Sequence, residues 1–440
     1  MIFTAELDTL AKGGMKVEFK DFHLNIKIRI FEFFLSNALS SMIFPFMAIY
    51  IAKYYGVKVA GMLLILNVFA GIVVKFIGGY VADHYGRKKS LMVAETLRLV
   101  AFVTMLLCNS PWYHSPFITF LMMTVNTICW GLSGPANEAM LIDVSKPEQR
   151  KLMYSIVYWS FNLSVGIGAI IGGFFFATHL FELMIALSLG AMVSTVLVVF
   201  FIQESYIRSQ EQEEEASSHV IKLLNQYKLV FRDHLFVWFI VADTLLYSME
   251  LQLTNYIGVR LNEKIANQHF LFLQVDGVQA LGLLRTENTI LVLAFSILTV
   301  KLVRNYSDKT VLKVGLLMFT VGFGLMTYLT NMWMLVFVMV IATIGEMIRV
   351  PVEQSYLAAI PPEDARSSYM AVSTISVNLS MLIASLTITI SGFLSSWLTT
   401  AIVTGVGLTG MFILYVIMDD LQNRTEKANM AKKENVALEG

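Results

Sequence analysis

Gly79-Tyr-Val-Ala-Asp83-His-Tyr-Gly86-Arg87-Lys88-Lys89-Ser-Leu91 is a short, strongly basic turn set between two long apolar runs. Residues 57–82 precede it, and a second run extends from about Leu91 to Cys108. Gly86 lets the chain reverse where a side chain would hinder the turn. Asp83 ends the first run and Arg87 lies four residues later, so on a helical corner the two share a face and can pair. Arg87, Lys88 and Lys89 are the residues that hold such a loop on the cytoplasmic side of a membrane.

The whole chain shares that apolar character. It is 56% hydrophobic with only 15% charged residues, where a soluble protein would carry about a quarter. Lys plus Arg equals Asp plus Glu at 32 each, so no net field points to nucleic acid. Cys108 and Cys129 fall in apolar runs and read as free, packed thiols. The first 24 residues are polar and lack the apolar core of a cleaved signal peptide.

A spanning helix needs about 20 mostly apolar residues, and within lipid only a helix or a closed barrel satisfies its own backbone. Twelve candidate spans occur at 27–52, 57–82, 89–109, 116–142, 151–178, 182–203, 234–259, 286–305, 310–330, 333–359, 367–391 and 396–418. With both termini inside, the loops assigned to the outer face hold five basic residues: Lys53, Lys58, Arg260, Lys264 and Arg285. The remaining Lys and Arg concentrate on the inner side, which sets the orientation. The expected organisation is a cytoplasmic segment 1–26, a six-helix bundle 27–203, a cytoplasmic linker 204–233, a second bundle 234–418 and a polar cytoplasmic tail 419–440. The multi-pass chain is expected in the cell membrane, as a monomer.

The halves repeat at an offset of 216 residues. Arg150 aligns with Arg366, Pro135 with Pro351, and Asn162-Leu163-Ser164 with Asn378-Leu379-Ser380. The repeat joins the fourth and fifth spans of one half to the tenth and eleventh of the other. The fold class is therefore all-α integral membrane, with twelve helices in two pseudo-symmetric bundles of six.

Charges inside spanning helices are costly, which makes each a functional candidate. The densest set is Glu346, Arg349 and Glu353 in the tenth span, at spacings that place all three on one face. Glu346 lies near mid-membrane. If Arg349 pairs with Glu353, Glu346 is left to desolvation, which favours the neutral acid and suits a proton carrier. A closed Glu–Arg–Glu structural network is the competing reading. Asp243 and Glu250 in the seventh span lie seven apart, on similar faces, and either could line a cavity. Arg29 with Glu32, and Glu95 with Arg98, are each spaced as local ion pairs. Tyr154, Tyr158, Trp159, Trp130, Tyr247 and Met249 would suit a broad apolar site, although aromatics also anchor helices at the interface.

The basic turn resembles the loop between helices two and three of the major facilitator superfamily, Gly-x-Leu-Ala-Asp-Arg-x-Gly-Arg-Lys-x-x-Leu. Gly79, Ala82, Asp83, Gly86, Arg87, Lys88 and Leu91 match it; Val81 stands for the Leu and His84 for the first Arg. The resemblance implies the twelve-helix fold, with the substrate site between parallel repeats. It also implies that Asp143, at the end of helix four, pairs with Arg87. Asp83 would complete a cytoplasmic latch that favours the outward-open state when formed. The antiporter motif of helix five is only partly present: Gly166, Gly168, Gly172 and Gly173 occur, but Ala169 replaces the Pro. Stripes of small residues also serve plain helix packing. The usual Arg of helix four is absent near Trp130. Asp143, the Asn162 run and Gly345-Glu346 are similar to the lactococcal-type proton–multidrug antiporters.

The implied activity is proton-coupled efflux of lipophilic or cationic compounds by alternating access. The alternatives are a proton-coupled importer of a peptide or sugar, or a lipid-binding or scrambling protein. Gly131-Leu-Ser133-Gly134 matches an intramembrane protease motif, yet all seven histidines fall in loops, tails or helix ends, where none can serve as its base. No metal-ligand cluster and no phosphate-cradling glycine loop is present, so neither a metal, a cofactor nor an enzymatic activity is expected.

Overall fold

A computed structural model describes residues 19–204, 230–303, 306–362 and 366–439. The helices of the first half are α1 (Leu24–Ser41), α2 (Met47–Tyr85), α3 (Arg87–Leu107), α4 (Pro116–Asp143), α5 (Pro147–Phe175) and α6 (Leu180–Val196). In the second half α7 (His234–Leu251) continues through a π turn into α8 (Gly258–Lys264). A small hairpin of β1 (Gln268–Phe270) and β2 (Leu273–Val275) follows. Then come α9 (Gly277–Val303), α10 (Asp308–Met326), α11 (Met332–Ala359), α12 (Arg366–Ser391) and α13 (Ser396–Glu439).

Ten helical spans among the described residues are long and apolar enough to cross a bilayer. The first covers two crossings, because Gly56 interrupts α2 with a φ of 76°, a left-handed conformation that only glycine adopts without cost. The 27 residues of α9 form one further helix, long enough for about 40 Å. Twelve spanning helices result. Gly86, with φ 94°, ends α2 and caps α3 at the opposite end of the bundle from Gly56.

The second half repeats the first. α4 and α11 are both 28 residues long, and both their ends are displaced by 216 residues. Each contains its proline at the same place, Pro135 and Pro351, and each is started by a polar side chain that accepts a backbone N–H, Ser115 and Asn331. The packing repeats as well. α3 packs on α4 and α6, and α1 on α5 and α6; correspondingly α10 packs on α11 and α13, and α7 on α12 and α13. Across the two halves α5 meets α9 while α2 meets α12, and these contacts also exchange under the same pseudo-twofold axis.

Glycines permit the closest of these approaches. A Cβ on Gly173 would stand 2.8 Å from Gly282 Cα, and one on Gly61 would stand 2.4 Å from Thr389 N. Both contacts join α-helices of opposite halves near the Gly56 end. Gly168 and Gly172 of the same stripe pack instead on Ala38 and Met42 of their own half. At the Gly86 end, the ion pairs among the described residues stay within one half: Arg87–Asp143, Asp233–Arg424 and Lys309–Asp419.

Residues 419–439 are helical and continue α13. Two expectations change. α9 starts at Gly277, nine residues before the expected span, because Arg285 and Glu287 interrupt its apolar run in sequence without breaking the helix. Arg29–Glu32 and Glu95–Arg98 are not two separate pairs. Arg98 also reaches Glu32 at 3.2 Å, and Ser36 and Ser194 each donate to Glu32 at 3.0 Å. The four charges form one buried, neutral network tying α1, α3 and α6 together. Most of the linker 204–233 lies outside the described residues.

Candidate functional site

A cavity of about 440 Å³ opens between the halves. One wall comes from α5: Tyr158, Phe161, Asn162 and Val165. The rest comes from the second half. α7 contributes Asp243, Tyr247 and Glu250; α9 contributes Arg285, Asn288, Thr289 and Val292. α10 adds Phe323, and α11 adds Glu346, Arg349, Val350, Glu353 and Gln354. All the ionisable acids and bases of the lining therefore belong to the second half, and the first half offers two aromatic rings and an amide.

The α11 residues share a face because they recur at three and four residues. Arg349 donates to Glu353 Oε2 at 2.6 Å, and its guanidinium lies 4.0 Å from the centroid of the Phe319 ring. Both partners are buried, at 2% and 6% exposure. Glu346 is bound differently. Asn288 Nδ2 donates to Glu346 Oε2 at 2.9 Å and to Thr343 Oγ1 at 3.1 Å, so the amide fixes the carboxyl against α9. Glu346 sits 14 residues into α11, about 21 Å along its axis and near its middle. Asp243 and Glu250 both reach the cavity from α7, separated by about 10 Å along that helix.

At the far end of the bundle Arg87 donates to Asp143 Oδ2, joining the start of α3 to the end of α4. Glu204 Oε2 accepts the Lys88 backbone N–H at 3.1 Å beside Gly86. Gly79 and Asp83 lie in the last turns of α2, and their side chains fall outside the described residues. The Arg87–Asp143 pair joins two helices of the same half. It is formed here while the halves are closed at the Gly56 end, so it does not by itself hold the bundles together.

The family sequence model for the Major Facilitator Superfamily matches residues 31–275 and 270–439. The chain belongs to that superfamily. It is a secondary transporter and not an enzyme. It is 28% identical to a Na(+), Li(+), K(+)/H(+) antiporter of Planococcus maritimus over 425 residues, covering 94% of this chain and all of the relative. An uncharacterised transporter of the superfamily from Bacillus subtilis, YqjV, is 22% identical over 335 residues, or 75% of this chain and 77% of that one. In shape, the protein superposes on a peptide transporter crystallised with sulfate at a TM-score of 0.74 and 13% identity, covering 96% and 99% of the two chains. It superposes on the nucleoside transporter NupG at 0.64 and 15% identity, covering 90% and 99%. These solved structures establish the shared fold.

Within this superfamily fold, Asp243, Glu250, Glu346, Arg349 and Glu353 converge on one cavity, and Arg87 and Asp143 meet 56 residues apart in sequence. Of the six residues weighed as apolar lining, Tyr158 and Tyr247 face the cavity. Trp130 lies under Arg98, 5.3 Å from its guanidinium carbon, and Met249 is buried against Gly407. Sequence reasoning placed Arg285 in an outer loop; it is a cavity residue two turns inside α9. Asn288 was not singled out at all. Its signal was its spacing of three residues from Arg285, visible only once the helix is known to begin at Gly277.

Proposed function

We propose that the protein is an antiporter that exchanges protons for monovalent cations at the cavity between its halves. The observation that carries this reading is the charge of the lining: four carboxylates against two guanidiniums, one of them already paired with Glu353. Such a cavity favours cations and offers acids on which a proton and a cation compete. The inorganic-cation antiporter named among the relatives supports the same substrate class. In this reading Glu346, held by Asn288, carries the exchanged proton, and Asp243 and Glu250 stabilise the cation. Arg349 and Glu353 form the neutral support behind them.

Residues 27–203 and 234–418 would move as two bodies joined by the 204–233 linker, with the protein a monomer in the cell membrane and both termini cytoplasmic. The Gly86 end is then the inner face. Closure at Gly61–Thr389 and Gly173–Gly282 makes the described conformation inward-facing, and alternating access is a shift between this packing and its opposite.

A second reading, efflux of lipophilic organic cations, is favoured by the aromatic wall of Tyr158, Phe161, Tyr247 and Phe323 and by a volume much larger than a bare ion. One experiment separates the two. Proteoliposomes carrying an internal pH dye and an imposed pH gradient receive Na⁺, K⁺, Li⁺ or ethidium. Proton movement driven by the metal ions supports the first reading, and movement driven by ethidium alone supports the second. No response to any cation overturns both.

A further inference from the structure

Arg285 is the residue the exchange reading leaves unused. It lines the cavity with the acids, its Nε is buried without a hydrogen-bond partner, and among the described residues no carboxylate stands within ion-pair distance of it. The other cavity base differs in each respect: Arg349 is paired with Glu353 and lies on the Phe319 ring. Arg285 therefore presents to the cavity a positive charge that no ion pair holds. Its position is also held. Three residues earlier, Gly282 packs against the Gly173 backbone so closely that an added Cβ would lie 2.5 Å from Gly173 Cα. Thr286, next in sequence, bonds back to Gly282 O at 2.8 Å.

A fixed guanidinium in a site built to attract cations opposes the cations it admits. The opposition grows with the charge of the guest, because the repulsion energy is proportional to the product of the charges. A cavity of this volume is roughly 10 Å across, about one Debye length, so salt screens the effect only in part. We propose that Arg285 is the specificity-determining residue that biases the cavity toward monovalent cations. With Glu353 matched by Arg349, the remaining charged lining is Asp243, Glu250 and Glu346 against Arg285. Arg285 lowers the negative charge that these acids offer to a guest. Its repulsion is twice as large for a divalent as for a monovalent cation, so the divalent guest loses twice as much binding energy to it.

This inference rests on the proposed cation exchange, and its test distinguishes the failure of either. Wild type, Arg285→Gln, Arg285→Lys and Val292→Glu are reconstituted with an internal pH dye. Proton movement is driven by Na⁺, K⁺, Mg²⁺ or Ca²⁺. Val292 lines the same cavity from the same helix, so Val292→Glu adds one negative charge while Arg285 stays in place. The expected result is a preference for monovalent over divalent ions in wild type and in Arg285→Lys. In Arg285→Gln and in Val292→Glu, the divalent-to-monovalent rate ratio rises by about tenfold, the change expected for one unit charge at this range in a partly screened site. A wild type that exchanges Na⁺ or K⁺, with both charge-altered variants keeping the wild-type ratio within about twofold, overturns the role of Arg285. A wild type inert to all four ions overturns the exchange reading itself. If Arg285→Gln does not fold, Arg285→Met, which keeps the length of the side chain and removes its charge, gives the same readout and decides between the two outcomes.

Discussion

Arg349 and Glu353 stand one helical turn apart and bond at 2.6 Å, while Glu346, one turn the other way on the same face, bonds to Asn288 of a different helix at 2.9 Å. Two acids flanking one arginine are thus unequal. One is neutralised within its own helix, and the other is held by an uncharged amide of a second helix.

Substitution should separate them. Glu346→Gln keeps nearly the same volume and can still bond to Asn288 after an amide flip, so the protein should fold. Proton-driven exchange should fall by about a hundredfold or more, as when a group acting directly in the chemistry is removed. Glu353→Gln leaves the buried Arg349 charge without its carboxylate and should chiefly lower expression and Tm, by the equivalent of about 3 kcal/mol. pH-dependent transport and thermal melts of both variants check the assignment. Full exchange in Glu346→Gln beside inactive, well-folded Glu353→Gln would reverse the roles.

The Arg87–Asp143 pair should matter for rate more than for stability. Its side chains are 12% and 29% exposed, and ion pairs at such positions contribute at most about 1 kcal/mol. Arg87→Gln and Asp143→Asn should each slow turnover several-fold, an effect of about 1 kcal/mol on the barrier, with Tm and equilibrium cation binding in detergent nearly unchanged. Exchanging the two residues should recover part of the rate. An unchanged rate in both single variants would reduce the pair to a marker of topology.

Much of this arrangement was legible in the chain. The basic turn, the 216-residue offset and the crossing of α4 and α11 with their prolines follow from apolar length and residue spacing, which report on single helices and on repeats. What the sequence hid were relationships between helices. The joining of Glu32 to Arg98 needs α1 and α3 side by side, and local spacing displays only the shorter bonds. Arg285 was hidden because α9 is poor in apolar residues around it, so the polarity that faces the cavity disguised the start of the helix as a loop; Asn288 lay inside the expected span and carries no charge to mark it. Asp83 and Gly79 remain expectations resting on the motif alone.

Asp233 gives a pH test outside the membrane-spanning segments. It caps α7, accepting the Phe236 N–H at 3.3 Å, and receives hydrogen bonds from Tyr369 and Arg424, both at 2.9 Å. Partial burial pushes its carboxyl up, but the bonds from Arg424 and Tyr369 and the capped N–H outweigh it and hold the carboxyl below its ordinary value. A depressed folded-state pKa stabilises the protein above the unfolded value of about 3.9, and that contribution is lost as pH falls through the folded value. Tm in detergent should therefore drop on acidification below about pH 4. Asp233→Asn should lower Tm at neutral pH and flatten that acid limb. An identical acid limb in wild type and variant would show that other carboxylates control it.

The contact between Gly173 and Gly282 allows the conformational cycle to be biased without touching a charge. A side chain on either glycine collides with the backbone of the other helix, and backbone cannot swing aside as a side chain can. Overpacking of this kind costs about 1–3 kcal/mol, and the upper figure shifts a two-state population by roughly a hundredfold. The collision exists only while the halves are closed at the Gly56 end, so Gly282→Val should favour the opposite packing. Gly61→Val should act in the same direction, because its contact with Thr389 is the pseudo-symmetric counterpart. Gly405→Ala, where an added Cβ meets nothing within 4 Å, serves as the control. The readout is a cysteine placed at Asn162, on the uncharged wall of the cavity, in vesicles of known sidedness. In the control background a membrane-impermeant thiol reagent should reach it from the Gly86 side. In Gly282→Val and Gly61→Val the reactive side should switch to the Gly56 side, and exchange should stop although the proteins remain folded. Labelling that stays on the Gly86 side in both valine variants, with transport intact, would mean that these glycines pack the helices without forming the gate.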